Sequence, residues 1–432
     1  MGAGFAREDA SHVFMKLAVF AHIPPPAHGQ SLSIKRMLDG FGGDRAKQSA
    51  PGPGSATRVE TRTESRPDIE CYHIDARFSR DLEDLGAVRF TKAVVLFKYC
   101  AKALWLRFRY GVRTLYYVPC PPRRSSLYRD WAILLLCRWA YPRLVFHWHA
   151  VGLGEWVENN ATALERAATH WLFDRADLAI VLSRYNQPDA ARFHPRAVEV
   201  VANGIADPCP DFAQAIAPRR MARVEARRQL RLGHSLSEPD CARAGGDPER
   251  CRVLFLGHCS RDKGLFDAVT GVEAANRQLA AQGSPLRFHL TVIGGYVDAD
   301  TRIEFERILE APGRRECIEY LGRASDDAKW SAFREADLFC FPTYFAWEGQ
   351  PANVIEAMAF GLPVVTTRWR AIPELLPENY TGLVEPRSPD QVAAALVSAL
   401  TEDGAPHRAA FEKRFTVQRH LDTLAAALAK VG

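Results

Sequence analysis

The chain has 432 residues, 47% of them hydrophobic and 25% charged, which exceeds what one ordinary core absorbs, suits two α/β domains, and excludes a disordered or fibrous protein. The longest apolar run, Trp131 to Leu136, falls far short of the roughly 18 to 20 residues that cross a bilayer. Ten cysteines form neither a Cys-x-x-Cys pair nor a zinc-type Cys/His spacing, so they are expected to be reduced, buried thiols. The net charge of +5 is unevenly spread, because Val88 to Leu144 holds twelve basic residues against the single acid Asp130. The first residues, MGAGFAREDASHVF, contain two acids and no apolar signal-like core, and a cytoplasmic protein is expected. MKLAVFAHIPPP begins at Met15 like a natural strand opening, so residues 1–14 read as an extension.

In chain order, Lys16 to Ile23 reads as a buried strand, followed by the loop PPPAHGQ and an amphipathic helix from Ser31 to Leu38. Residues 41–67, rich in Gly, Pro, Ser and Thr, read as a mobile insertion. Strands are expected at Glu70–Ile74, Thr114–Val118, Leu144–His149, Leu178–Leu182 and Val198–Val201, with helical patterns between them. This alternation predicts a parallel, doubly wound sheet over residues 15–205. Residues 206–250 lose the rhythm and read as a linker with a polar helix. It restarts over 251–404, with strands at Arg252–Leu256, Phe288–Ile293, Glu319–Leu321, Leu338–Phe341, Pro363–Thr366 and Gly382–Val384. Residues 405–432 read as a C-terminal helix packing back toward the N-terminal domain.

The most informative stretch is ADLFCFPTYFAWEGQPANVIEAMAFGLPVVTT, Ala336 to Thr367: strand, loop, then a helix from Ala352 to Phe360 that stops at Gly361. The first turn of that helix offers backbone N–H groups and a partial positive charge to a diphosphate, with Pro351 well placed just before it. Glu348 in the loop and Glu356 on the helix supply two carboxylates for sugar and ribose hydroxyls; the alternative is a solvated loop acid and a helix-dipole partner. A second stretch, VLFLGHCSRDKGLFDAV from Val253, places Gly257 after a buried strand, and Lys263 where it can neutralise a departing diphosphate.

Together these runs resemble the retaining glycosyltransferases of the GT-B fold in family 4 (glycosyl transferases group 1). Their E-x7-E signature is matched by Glu348 and Glu356, and their small-Gly-x-Pro-Val-Val run by Gly361, Pro363, Val364 and Val365. The resemblance implies two Rossmann-like doubly wound domains facing across a cleft, with Glu348 on the donor sugar and Glu356 on the nucleotide ribose. The strand-Gly-Arg-x4-Lys-Gly element matches at Gly257, Lys263 and Gly264. His258 replaces its usual arginine, and Arg261 is the candidate substitute. Gln350, Pro351, Ala352 and Asn353 stand where many members carry Phe-Gly-Leu. In the N-terminal half, Gly29 and Gln30 match the family's first-strand loop, and His149 matches a histidine that reaches toward the donor sugar; His147 reads as a packed strand residue.

The function this implies is transfer of a sugar, with retention, from a nucleotide-sugar donor, UDP- or GDP-linked, to a glycan or lipid-linked acceptor in bacterial surface polysaccharide or glycolipid synthesis. Catalytic roles fall to His149, Lys263 and Glu348, and donor contacts to Gly29, Gln30, Gly257, Arg261, Lys263, Pro351, Ala352, Asn353 and Glu356. No metal is expected, since no Asp-x-Asp motif is placed to hold one and the basic groups do its work. The basic, aromatic stretch 88–144 fits peripheral contact with an anionic membrane; no nucleic-acid motif accompanies it. Two alternatives stay open: a nucleotide-sugar epimerase of the same fold, and a degenerate, non-catalytic binding protein.

Overall fold

The computed structural model describes residues 15–25, 29–48, 68–77 and 90–431. The extension 1–14 and the greater part of the 41–67 insertion lie outside them. The chain divides into two compact units, one running to Ala202 and including Gln418 onward, the other Asn203–Val417.

In the N-terminal unit, β1 (Met15–Ala21), β2 (Ile69–Asp75), β3 (Thr114–Tyr117), β4 (Arg143–Trp148), β5 (Leu178–Val181) and β6 (Val198–Val200) form a parallel sheet in the order β2-β1-β3-β4-β5-β6. Strands such as LAIV of β5 are buried at every position, the pattern of a sheet covered on both faces. The longer connecting helices are α1 (Gly29–Gly40), α2 (Phe90–Tyr110), α3 (Arg124–Cys137), α4 (Leu153–Asn160), α5 (Ala163–Phe173) and α6 (Gln187–Ala191). The step from β1 to β2 runs one way along the sheet and every later step the other way. Right-handed crossovers therefore place α1 on one face and α2 to α6 on the opposite face. A capping box of Thr162 and Glu165 starts α5. Beneath these helices Trp148 stacks on Phe193 at 5.3 Å and Phe146 on Phe173 at 5.2 Å.

The C-terminal unit repeats the plan. Its strands β7 (Arg250–Leu256), β8 (Arg287–Ile293), β9 (Ile318–Gly322), β10 (Leu338–Phe341), β11 (Val364–Thr367) and β12 (Leu383–Val384) lie in the order β12-β11-β10-β7-β8-β9. Its principal helices are α7 (Ala217–Arg231), α8 (Leu265–Ala281), α9 (Ala299–Glu310), α10 (Asp326–Glu335), α11 (Ala352–Ala359), α12 (Pro389–Ala399) and α13 (Ala405–Arg414). The strand order reverses between β7 and β10, and in doubly wound sheets ligands bind where such a reversal opens a crevice at the strands' carboxyl ends.

Two segments differ from the sequence reading. The stretch read as a linker, 206–250, carries α7, and Arg220, Arg223 and Arg227 on one face of that helix are buried in the C-terminal unit. Arg223 and Arg227 clasp the buried Asp337 at 2.9 and 2.6 Å, and the Arg252 amide donates to the same carboxylate at 2.9 Å. Burial alone would raise the Asp337 pKa, but Arg227 and Arg223 hold it below the usual carboxylate range. Arg220 donates to the carbonyls of Phe360 and Gly361 past the end of α11, where orphan acceptors attract a cation. The second difference is that 405–432 is two helices. α13 stays with the C-terminal unit through Arg408, which donates to Asp207 at 2.5 Å and to the Ala359 carbonyl at 2.6 Å. α14 (Val417–Ala429) joins the N-terminal unit, where Leu421 lies against Gly40 of α1 and His420 Nδ1 is 2.7 Å from the Ala202 carbonyl oxygen.

Candidate active site

Two loops at the carboxyl ends of adjacent strands build the site in the C-terminal unit. β7 runs into residues 257–264 and β10 into 342–351. Register pairs Leu338 with Val253 and Phe339 with Leu254, so the loops emerge side by side. Glycine at two positions lets them close up. A Cβ at Gly257 would sit 2.9 Å from the Phe341 ring, and Gly264 takes a φ of +81° with its α-carbon facing the Pro342 carbonyl. Asn353, in the first turn of α11, donates from Nδ2 to the Leu256 carbonyl at 2.6 Å. That bond pins the start of α11 to the end of β7. Pro351 stands at the helix's N-cap, with no side chain capping the turn.

Both glutamates of the signature are buried, Glu348 at 8% and Glu356 at 7% exposure, and each is met by a lysine. Lys263 Nζ lies 2.6 Å from Glu348 Oε2, which also accepts from Thr343 Oγ1 at 3.2 Å. The same ammonium sits 4.1 Å from the centre of the Phe345 ring, a cation–π contact. Lys329, from α10, reaches Glu356 Oε1 at 2.6 Å. His258 is held neutral: burial lowers its pKa, and the cations Lys263 and Arg323 lower it further. The geometry thus gathers Gly257, Lys263, Glu348, Pro351, Ala352, Asn353 and Glu356 at one sheet edge. It adds three residues that the sequence did not single out: Thr343, Arg323 and Lys329.

Arg261 is placed differently from the expectation that it stands in for the missing family arginine. Both Glu304 oxygens, from α9, take its guanidinium at 2.5 and 2.6 Å. It lies over the Phe266 ring at 4.6 Å, and its side chain is 62% exposed. The second cation felt by His258 is Arg323, at the end of β9, with its side chain against Gly295.

In the N-terminal unit the candidates again lie at strand carboxyl ends. Gly29 and Gln30 open α1 after β1, and a Cβ at Gly29 would meet no atom within 4 Å, so packing among the described residues does not require glycine there. His149 follows β4, its ring 4.2 Å from that of His147. His147 is buried, bonded through Nδ1 to Tyr116 Oη, and burial pushes its pKa well down; it is a core residue, as its place within the strand suggests. Among the described residues one group could hold a metal ion, His170, Asp174 and His194. Its members bond one another, His170 Nδ1 to Asp174 at 2.9 Å and His194 Nδ1 to Asp174 at 3.1 Å. They precede β5 and β6, at the sheet edge opposite His149. A polar cavity of about 500 Å³ in the C-terminal unit, with Arg250, His289 and Arg315 among its lining, also lies at the strands' amino ends, away from Glu348.

Residues 250–402 match the family model described as glycosyl transferases group 1. HepE from Anabaena, solved with UDP and glucose, superposes with a TM-score of 0.59 at 16% identity, covering 96% of this chain and 99% of HepE. The chain has the GT-B fold. Among curated relatives, the amylovoran biosynthesis glycosyltransferase AmsK of Erwinia amylovora is 30% identical over 205 residues, 46% of this chain and 45% of AmsK. A GDP-mannose-dependent α-(1-6)-phosphatidylinositol monomannoside mannosyltransferase of Mycobacterium tuberculosis is 26% identical over 293 residues, 66% of this chain and 67% of that enzyme. The chain thus spans about half to two thirds of the length of these two relatives.

Proposed function

We propose that this GT-B chain is a retaining, metal-independent glycosyltransferase that moves a sugar from a UDP- or GDP-sugar to a glycan or lipid-linked acceptor, in bacterial surface polysaccharide or glycolipid synthesis. The observation that carries the reading is the pair Glu348 and Glu356. Both are buried at the reversal point of the sheet, and each is held by a lysine. Two buried, lysine-paired carboxylates beside an uncapped helix start are groups that can take the hydroxyls of a sugar and a ribose and the charge of a diphosphate. The similarity to glycosyltransferases such as AmsK and the mycobacterial mannosyltransferase supports the class.

In this mechanism the acceptor hydroxyl attacks the anomeric carbon on the face from which the nucleoside diphosphate leaves. The new C–O bond forms as the C–O bond to phosphate breaks, and the hydroxyl proton passes to the departing phosphate oxygen. Developing charge on that phosphate is the main barrier, and preorganised cations lower it. Lys263 is the nearest candidate: its bond to Glu348 holds it in place until a phosphate competes for it, while Glu348 turns to the sugar hydroxyls. Arg323 supplies further positive charge. Glu356 takes the ribose, and the start of α11 faces the diphosphate.

The test is a thermal-shift and turnover panel of UDP-, GDP-, ADP- and TDP-sugars on the full chain and on Glu356→Ala, with and without chelator. A shift for one nucleotide that Glu356→Ala loses, with turnover that survives chelation, is the expected result. Donor consumed equally without any acceptor and converted to an isomer points to an epimerase; no shift for any donor points to a non-catalytic protein.

A further inference from the structure

The outer helical layer of the N-terminal unit exposes more large apolar side chains than solvent contact alone accounts for. On α2, Val94, Phe97, Trp105 and Phe108 are 51 to 66% exposed and fall at helical spacing on one face. Tyr128 and Leu135 of α3 continue the pattern into Trp139, 70% exposed in the turn that follows. Leu164 and Trp171 of α5, seven residues apart, are 81 and 70% exposed. A lone exposed hydrophobic residue is ordinary, whereas three neighbouring helices that all turn apolar rings outward form a patch.

The three stripes belong to one surface. The topology places α2, α3 and α5 on the same face of the sheet, and the helices are bonded to one another. Arg107 Nε donates to the Ala140 carbonyl at 2.7 Å, and Tyr141 Oη to the Ala103 carbonyl at 2.6 Å. Arg138 donates to the carbonyls of Leu172 and Asp174 at the end of α5. These bonds draw the carboxyl ends of the three helices together, and each carries an exposed tryptophan toward that end: Trp105, Trp139 and Trp171. With 21 residues, α2 is about 30 Å long, so its stripe reaches the other end, where β1 and β4 lead to Gln30 and His149.

Charge identifies the occupant. From Phe90 to Trp148 the sole acid is Asp130, which is fully buried and bonded to Arg129 and the Cys120 amide. Lys98, Arg109 and Arg113 are exposed on α2 and in the turn after it; Arg124 is paired with the buried Glu165 of α5, and the exposed acids Glu155 and Glu158 lie on α4 at the border. Tryptophan favours the headgroup level of a bilayer, and arginine and lysine are drawn to anionic lipid. No helix among the described residues is long and apolar enough to cross a membrane.

We infer that the face of α2, α3 and α5 docks on the surface of an anionic lipid bilayer, with Trp105, Trp139 and Trp171 entering the headgroup layer. This rests on the proposed function only for its purpose, which is to bring the site to a lipid-linked acceptor. The experiment is flotation of the full chain with phosphatidylglycerol–phosphatidylethanolamine vesicles and with phosphatidylcholine vesicles, for wild type and for the triple variant Trp105→Ala, Trp139→Ala, Trp171→Ala. Wild type is expected to float with the anionic vesicles and weakly with the neutral ones, and the triple variant to lose at least tenfold in partition with an unchanged melting temperature. Arg113→Gln should cost about fivefold, since one cation near an anionic surface contributes about 1 kcal/mol. Wild type that stays with the soluble fraction at low salt, or a triple variant that floats as well as wild type, overturns the inference. So does a concentration-dependent dimer that the triple variant abolishes without any flotation, which would make the face a contact between copies. The donor-induced thermal shift, measured without vesicles, separates the two readings: a chain that shifts with donor yet never floats loses only the docking surface, and one that floats yet shifts with no donor loses only the transferase.

Discussion

The two units share a fold and handle charge in opposite ways. In the C-terminal unit the important charges are turned inward and paired: Asp337 with Arg223 and Arg227, Glu348 with Lys263, Glu356 with Lys329. In the N-terminal unit several cations of the basic stretch, Lys98, Arg109 and Arg113 among them, are exposed, while its one acid is internal. The same doubly wound plan therefore carries paired charges within one unit and exposed cations on the other. Buried pairs add little net stability, yet removing one partner is expensive; surface charges cost little to remove and act through long-range attraction.

That contrast can be broken or sharpened by substitution. The largest expected effect is Asp337→Asn, which leaves Arg223 and Arg227 buried without their carboxylate and should cost about 3–5 kcal/mol in chemical denaturation; a loss under 1 kcal/mol would show that the arginines need only the backbone carbonyls. Lys263→Gln removes the ammonium beside Glu348 and should lower kcat/KM on the order of a hundredfold, about 2.7 kcal/mol, while the fold is retained; an unchanged rate would take Lys263 out of the mechanism. His407 gives a pH-dependent case. It is buried against Tyr380, and neither ring nitrogen has a hydrogen-bond partner. Burial lowers its pKa from 6.5 to about 4. The unfolded chain therefore binds the extra proton first, and the stability linked to this group is complete above pH 6.5 and is lost as pH falls toward 4. His407→Leu should remove roughly 2 kcal/mol of that acid sensitivity between pH 7 and pH 5, seen as a smaller fall in melting temperature over that range. The smallest expected effect is Trp139→Ala, within about 0.5 kcal/mol of wild type in solution, because the ring is largely solvated; a larger loss would mean that the exposed face packs against something.

Much of this was readable from the chain. The twelve strands among the described residues lie within a residue or two of their expected positions, because buried parallel strands are written as short Val, Ile, Leu and Phe runs that tolerate little else. The strand, loop and helix of β10–α11 left local marks in their glycines and helix start, while the roles expected of Glu348 and Glu356 came from the family resemblance. Contacts between distant segments were not. Nothing near Arg223 announces Asp337, which lies more than a hundred residues away, and so a helix of arginines reads as solvent-facing until its partner is placed. Lys329 meets Glu356 from another helix, and Glu304 claims Arg261 from a third; neighbouring residues encode neither meeting. The exposed rings of α2, α3 and α5 were likewise hidden, because amphipathic spacing marks an apolar face without saying which way it points.

The route of the chain through the two units has a consequence for how the protein is made. The C-terminal unit is a continuous stretch, Asn203–Val417, set inside an N-terminal unit that needs α14 to cover α1. On the ribosome, residues 15–202 emerge first but lack their last helix. The inserted unit can therefore close before the one that precedes it, and the earlier sheet waits with one helical face incomplete until α14 is synthesised. A chain stopped just after α13 would hold a complete C-terminal unit and an unfinished N-terminal unit, which makes α14 a checkpoint for assembly as well as a piece of the fold.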